Sequence, residues 1–260
     1  MEEVLKIAQN WYLDNTMKNN LGKTEILVLS QGKNTQNMKI LIEDVEKVTI
    51  KSKASIKILG VIVDDKLRWS KQVNAVKSKA MNITRNIHRI NHLLPLKVRK
   101  DLYNAVISPQ FNYGDIIWGG CSKKDSQSLQ LVQNFAVRSI TGNRKHDSAT
   151  NSLNTLDLLN LAQRREIHES VFAHKALLDK CSANINQLYK SHISTANTRQ
   201  AAAKILTIPS HKTAKFESSP LYRTIKSWNS CPSTLPFDNI KAHKNGLQKL
   251  FIKQNKDRLH

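Results

Sequence analysis

Cysteine, glycine, proline, aromatic side chains and negative charge are all scarce in this 260-residue chain. Its three cysteines, Cys121, Cys181 and Cys231, lie 60 and 50 residues apart. An odd count excludes a closed disulfide framework, and the spacing offers no paired metal ligands. They read as reduced, intracellular thiols. With 8 Gly and 6 Pro, collagen, flexible linkers and low-complexity polymers are excluded. No apolar run approaches the roughly 18 residues of a membrane span. Met1-Glu2-Glu3 is acidic where a signal peptide is basic. Together these predict a soluble, intracellular protein, with nucleus and cytoplasm not distinguished. Acidic residues number 20 against 41 Lys and Arg, a net charge of +21. An excess of that size points to a polyanion, because cations that neutralise phosphates release condensed counterions. An anionic membrane surface is the more distant candidate.

The charge is uneven. Residues 1–70 carry +2, residues 71–150 carry +9 and residues 151–260 carry +10, so a polyanion should meet the later two-thirds. Val4, Ile7, Ala8, Trp11 and Tyr12 recur at helical spacing and predict an amphipathic helix over residues 2–14. Short β-rich runs follow at Thr24–Ser30, Met38–Ile42, Val45–Ile50 and Ile56–Val63, a pattern that predicts a small antiparallel sheet. From Trp69 the period changes. Val73, Val76, Ala80, Ile83, Ile87 and Ile90 form one helical seam, with Lys77, Lys79, Arg85 and Arg89 lying off it. Further amphipathic helices are expected at Pro95–Ile107, Asp125–Ile140, Leu158–Leu178 and Ile240–Ile252, with loops and one helix between His192 and Pro236. The fold class is α+β: a small antiparallel sheet with one helix, followed by a mainly α-helical region.

Val61-Ile62-Val63-Asp64-Asp65 places two carboxylates after a hydrophobic strand, an arrangement that can hold divalent cations for phosphoryl transfer. Asp-Asp ahead of Lys66 is also an ordinary turn, and the turn is the preferred reading. His88 and His92 stand one helical turn apart but bring no third ligand and no catalytic Glu, so both read as solvated or near phosphate. Arg164-Arg165 and Lys123-Lys124 read singly as solvated helix positions. No nucleophile elbow, phosphate loop or dinucleotide fingerprint occurs.

Several spaced residues carry a resemblance. Trp11-x3-Asn15, Asn20-x2-Lys23-Thr24 ahead of an apolar run, and Ile58-Leu59-Gly60-Val61 with Trp69 ten residues after Leu59 come first. Arg99-x2-Leu102-Tyr103, Ser108-Pro109-x3-Tyr113-Gly114, Trp118-Gly119, Leu131-x-Gln133-x4-Arg138 and Trp228-Asn229 with Pro232 follow in order. Together they resemble the post-catalytic region of non-LTR retrotransposon reverse transcriptases, the RNA-directed DNA polymerases of transposable elements. The resemblance implies that residues 1–68 are the end of a polymerase palm and residues 69–180 a helical thumb and its extension, with residues 181–260 a C-terminal region of loops and a terminal helix.

In that family the catalytic carboxylates belong to an Asp-Asp hairpin ahead of the helix that begins here near Glu2. The chain is therefore expected to be a fragment without the catalytic Asp pair and inactive as a polymerase by itself. No cofactor or metal is expected in it, since Mg2+ belongs to the complete polymerase. By the same resemblance Lys23 stands near the incoming nucleotide's phosphates, although a solvated lysine at a strand start explains it equally. Asn19 replaces the family's usual apolar residue and Gly22 loosens this loop. Leu59 and Gly60 match the turn that positions the primer end. The basic helix from Ser70 to Asn91 matches the element that tracks the duplex, with Lys77, Arg85 and Arg89 on phosphates; the alternative is a helix merely solvated on that side. The expected partners are RNA, DNA or their hybrid, bound without sequence preference, and not a membrane. Self-association through an exposed palm surface is also expected. The alternative reading is a non-enzymatic nucleic-acid-binding or interaction protein retained from a mobile element.

Overall fold

Helical spacing of Ile7, Ala8, Trp11 and Tyr12 winds Glu2–Asp14 into α1. Asn15 ends it by turning its side-chain amide back onto the Trp11 carbonyl at 2.8 Å, which gives the Trp11-x3-Asn15 spacing a capping role. The computed structural model describes residues 2–17, 20, 23–29, 39–43, 47–193 and 205–258, and the chain divides into two units, residues 1–72 and 73–260.

In the first unit two antiparallel hairpins follow α1. Lys39–Glu43 (β1) pairs with Lys47–Lys51 (β2), and Ser55–Ile58 (β3) pairs with Val61–Asp64 (β4). The run expected as one strand over Ile56–Val63 is folded in two at Leu59-Gly60, where Ile58 faces Val61 across the ladder. Both turn residues have positive φ, 46° at Leu59 and 88° at Gly60, the geometry whose twist matches paired strands. The strand expected over Thr24–Ser30 is not one. Among the described residues this segment makes a single bridge, Ile26 to Ser52, with the Lys53 N–H donating to the Ile26 carbonyl at 2.8 Å. A ladder needs successive pairs, and here one pair stands alone. Asn19, Gly22, Ser30, Met38 and Val45, named in the readings above, lie outside the described residues.

Ser70–Ile90 forms α2, and the division between the units falls inside it. The second unit continues with Leu96–Leu102 (α3), a π-helical turn over Tyr103–Ile107 and Ser108–Asn112 (α4). The helix expected to stop at Ile107 thus runs on through Pro109. Proline has no N–H for the carbonyl four residues back, and the wider π turn absorbs the mismatch. Then come Asp115–Trp118 (α5), Lys123–Thr141 (α6), Ala149–Thr155 (α7), Leu161–Leu177 (α8), Ala183–Lys190 (α9), Ala214–Glu217 (α10), Pro220–Asn229 (α11) and Ile240–Asp257 (α12). Side-chain caps open α6, α7, α8, α11 and α12 from Ser122, Ser148, Asn160, Ser219 and Asn239. Within this unit α8 is the hub, packing against α5, α6, α9, α11 and α12.

The fold is therefore α+β, with small antiparallel hairpins ahead of a mainly helical region. Two apolar clusters lie around α8. Ala173, Ala176, Tyr189, Leu206, Ile225 and Trp228 form one, and Leu159, Ile167 and Leu247 form the other. Beside them burial and the neighbouring His174 push the His243 imidazole down to about 4, so it is neutral at physiological pH. Among the described residues, no helix is long and apolar enough to cross a membrane.

Candidate nucleic-acid interface

Among the described helices α2 has the most one-sided charge. Over 21 residues it carries Lys71, Lys77, Lys79, Arg85 and Arg89 and no carboxylate. Val73, Val76, Ala80 and Thr84 are buried, so the helix has a fixed inner face. At about 100° per residue, Arg85 and Arg89 sit about 40° apart and Lys77 about 80° from Arg85. Both arginines are exposed, and Lys77, at the margin, is half-buried. A cation in the last turn also complements the carbonyl end of the helix, so Arg89 is favoured there whatever it binds. His88 is not simply solvated: its Nδ1 lies 2.7 Å from Ser139 Oγ on α6. His92 is exposed.

The remaining predicted positions belong to the first unit. Leu59 and Gly60 form the tip of the β3–β4 hairpin, with Leu59 87% exposed. A leucine at positive φ costs on the order of 1 kcal/mol, and an exposed apolar side chain there offers no core packing in return. Lys23 is exposed, its N–H donating to the Asn20 carbonyl at 3.0 Å. Leu59 and Gly60 are thus brought together, as are Arg85 and Arg89, while Lys23 stands on a separate segment.

Asp64 and Asp65 do not fit a two-metal site for Mg2+. The Asp64 carboxylate is buried and accepts backbone N–H bonds from Lys66 at 3.1 Å, Arg68 at 3.0 Å to each oxygen, and Trp69 at 2.9 Å. Leu67 and Trp69 have positive φ, 51° and 67°, so the carboxylate holds a strained connection into α2. Among the described residues no group of three or more His, Cys, Asp or Glu side chains is arranged to hold a metal ion.

Most of the spaced residues in the second unit build its framework. Arg99 donates from Nε to the Leu94 carbonyl at 2.7 Å and from Nη1 to the Ile140 carbonyl at 2.8 Å, tying α3 to the end of α6. Tyr103 and Gln133 are both buried and joined, the Gln133 amide donating to the Tyr103 hydroxyl at 2.8 Å and to the Leu159 carbonyl at 3.0 Å. Burial drives the Tyr103 hydroxyl above its ordinary range, so it stays protonated. Asn229 clamps the Leu206 backbone, accepting from its N–H at 2.9 Å and donating to its carbonyl at 2.8 Å.

Gly119 adjoins Trp118 for a steric reason. A Cβ there would lie 2.4 Å from the Asp115 carbonyl oxygen and 2.8 Å from Arg223 Nη1. Sequence reasoning missed Arg223, Glu169, Asp115 and His168, a polar group of buried and half-buried side chains beside that glycine. Glu169 stands 3.4 Å from Arg223 Nη2, and Asp115 Oδ2 lies 2.6 Å from His168 Nδ1. Burial raises the Glu169 carboxyl above its usual range, with Arg223 opposing the rise. No local spacing links these four residues, which come from α5, α8 and α11, so the sequence held no signal for the cluster.

The described residues thus give an α+β chain whose helix α2 carries cations and no carboxylate. One stretch of 101 residues, 38% of this chain, is 27% identical to the Drosophila melanogaster "Probable RNA-directed DNA polymerase from transposon X-element". Another of 135 residues, 51% of the chain, is 23% identical to the "Probable RNA-directed DNA polymerase from transposon BS" of the same organism. The chain is distantly related to these transposon reverse transcriptases, and the matches cover 11% and 15% of the relatives' lengths. No family model and no solved structure matches it.

Proposed function

We propose that this chain is a non-catalytic, duplex-gripping part of a non-LTR retrotransposon reverse transcriptase, binding RNA, DNA or RNA–DNA hybrid without reading sequence. The observation that carries the reading is α2, whose cations meet no carboxylate on the same helix. Ordinary solvated surfaces intersperse both signs, and a helix of one sign is favoured where phosphates supply the other. Lys77, Arg85 and Arg89 are the proposed phosphate contacts, which fix position and carry no base information. The hairpin tip at Leu59 and Gly60 is placed near a primer end, where the absence of a side chain at Gly60 lets a strand approach the backbone. Lys23 is placed toward the incoming nucleotide's phosphates. In this reading residues 1–68 close a palm and residues 69–180 form the thumb and its extension. Mg2+ and its carboxylate ligands belong to the complete polymerase, so the chain alone polymerises nothing.

Fluorescence anisotropy on a labelled 20-mer RNA–DNA hybrid tests this. Binding should be indifferent to sequence and fall steeply with salt. Arg85→Glu with Arg89→Glu should weaken it by about 30-fold and flatten the log–log salt dependence by about 2, since each lost phosphate contact removes about 0.9. Unchanged affinity in that variant, or primer extension by the unmodified chain with Mg2+, would overturn the reading.

The same reading includes self-association. Ile7 is 66% exposed and Trp11 54% exposed on α1, an apolar surface open to a second copy. Sedimentation velocity should show a concentration-dependent oligomer for the full chain, reduced by Ile7→Lys with Trp11→Lys. A monomer at all concentrations would count against it.

A further inference from the structure

Positive charge gathers at one more place in the second unit. A pocket of about 390 Å³ is lined by Lys100 and Asn104, by Arg164 and His168 on α8, and by Lys244 and Gln248 on α12. Each pair is four residues apart, so each helical segment offers one cation and one further polar group from a single face. Behind them Leu159 and Ile167 belong to the packed cluster that includes Leu247, so the wall is part of a core and not a surface dent.

The charge in this pocket is uncompensated. Among the described residues no ion pair or side-chain hydrogen bond engages Lys100, Arg164 or Lys244. Among the described residues Asp157 is the single carboxylate in the lining, and it already lies 2.7 Å from Lys256 Nζ. His168 is held through Nδ1 by Asp115 at 2.6 Å, which orients the ring and leaves Nε2 available. A larger cavity of about 480 Å³ in the same unit contrasts with this one, its lining dominated by neutral amides with the lone cation Lys123. Three like charges in a walled concavity repel one another and focus a positive field, and an anion with several acceptor oxygens relieves both.

We propose that this pocket is a phosphate-binding site that takes one nucleotide unit, within a single strand or free. Lys100, Arg164 and Lys244 bind the phosphate oxygens, Arg164 through its planar fork. Asn104 and Gln248 offer amide donors and acceptors to the adjoining sugar or base. Ligand pockets span about 300–1,000 Å³, and a volume near the low end suits one nucleotide and excludes a duplex. Sequence reasoning passed over Arg164 because Arg164-Arg165 looked like one solvated pair. Neighbours on a helix point about 100° apart. Arg165 therefore goes to Ser126 Oγ at 3.0 Å and over the Trp118 ring at 5.8 Å, while Arg164 goes to the pocket.

The test uses the full chain with a labelled single-stranded decamer, unlabelled ATP and inorganic tripolyphosphate as separate probes. Lys100→Gln, Arg164→Gln and Lys244→Gln combined should weaken decamer binding at least tenfold and lower its log–log salt slope by about 0.7, the value for one phosphate on a single strand. An equal loss of charge at the exposed Lys145, Lys226 and Lys249 should change affinity by less than about threefold, as scattered surface charges are screened. ATP and tripolyphosphate competing with the decamer, with the same losses in the triple variant, assign the site to a free nucleotide; competition by neither assigns it to a strand. Equal effects of the pocket and control variants overturn the proposal. Should the triple variant not fold, Lys244→Glu at an exposed helical position is the substitute, and unchanged decamer affinity in it overturns the proposal too. Arg85→Glu with Arg89→Glu keeps the two readings apart: loss there without loss in the pocket variants leaves the α2 interface standing and this site refuted.

Discussion

Trp118→Ala is expected to destabilise the second unit by about 3–5 kcal/mol, the range for removing a large aromatic from a core. The side chain is fully buried, its indole N–H donates to the Tyr113 carbonyl at 2.8 Å, and the Arg165 guanidinium lies over the ring at 5.8 Å. Three losses coincide: apolar burial, one hydrogen bond whose carbonyl is left behind, and the surface that covers Arg165. The neighbouring backbone has little room to collapse into the space, because Gly119 is already packed against Asp115 and Arg223. Trp118→Phe should cost less, about 1–2 kcal/mol, since it keeps most of the packing and forfeits the donor. Urea unfolding followed by circular dichroism reads both. A cost below 1 kcal/mol for the alanine variant would mean that the indole is not where the core is built.

Asp64→Ala should be comparably severe in the first unit, with a loss of about 3 kcal/mol or more. The carboxylate satisfies the N–H groups of Lys66, Arg68 and Trp69 at 2.9–3.1 Å, and no other side chain stands in for it among the described residues. Hydrogen bonds to a charged acceptor are each worth about 1.5–3 kcal/mol, and a stranded buried donor costs about 1–3 kcal/mol. The same carboxylate keeps Leu67 and Trp69 at positive φ, so its removal also frees the connection to relax away from the start of α2. Asp64→Asn should recover part of the loss by keeping one acceptor oxygen, but its NH2 then faces backbone donors. Hydrogen exchange should show faster opening at residues 66–72 in both variants, with Ala above Asn. Protection equal to the unmodified chain would show that the carboxylate does not hold the connection.

These two positions also show what could be read from residues alone. Asp64-Asp65 looked either catalytic or like a turn, and only the backbone donors around it decide: both oxygens are engaged within five residues of chain. Trp118-Gly119 carried the family resemblance, yet its reason is steric, the glycine leaving room for a half-buried arginine that arrives from α11. Arg99, Tyr103, Gln133 and Asn229 follow suit. Their spacing marked a relationship, and their side chains turn out to tie α3 and the π turn to α6, and α11 to the extended segment at Leu206.

Helical periodicity is local, so α1, α2, α6, α8 and α12 were legible from the spacing of apolar residues, whereas the Leu59-Gly60 turn came from the family resemblance and not from the β-rich run that contains it. Net charge and its gradient are sums over the chain, and the bare basic face of α2 follows from them without a fold. The Asp115–His168 and Glu169–Arg223 pairs, and the gathering of Lys100, Arg164 and Lys244, needed tertiary structure. Each depends on segments far apart in sequence meeting in space, and no property of a short window records which distant backbone or charge will arrive beside it.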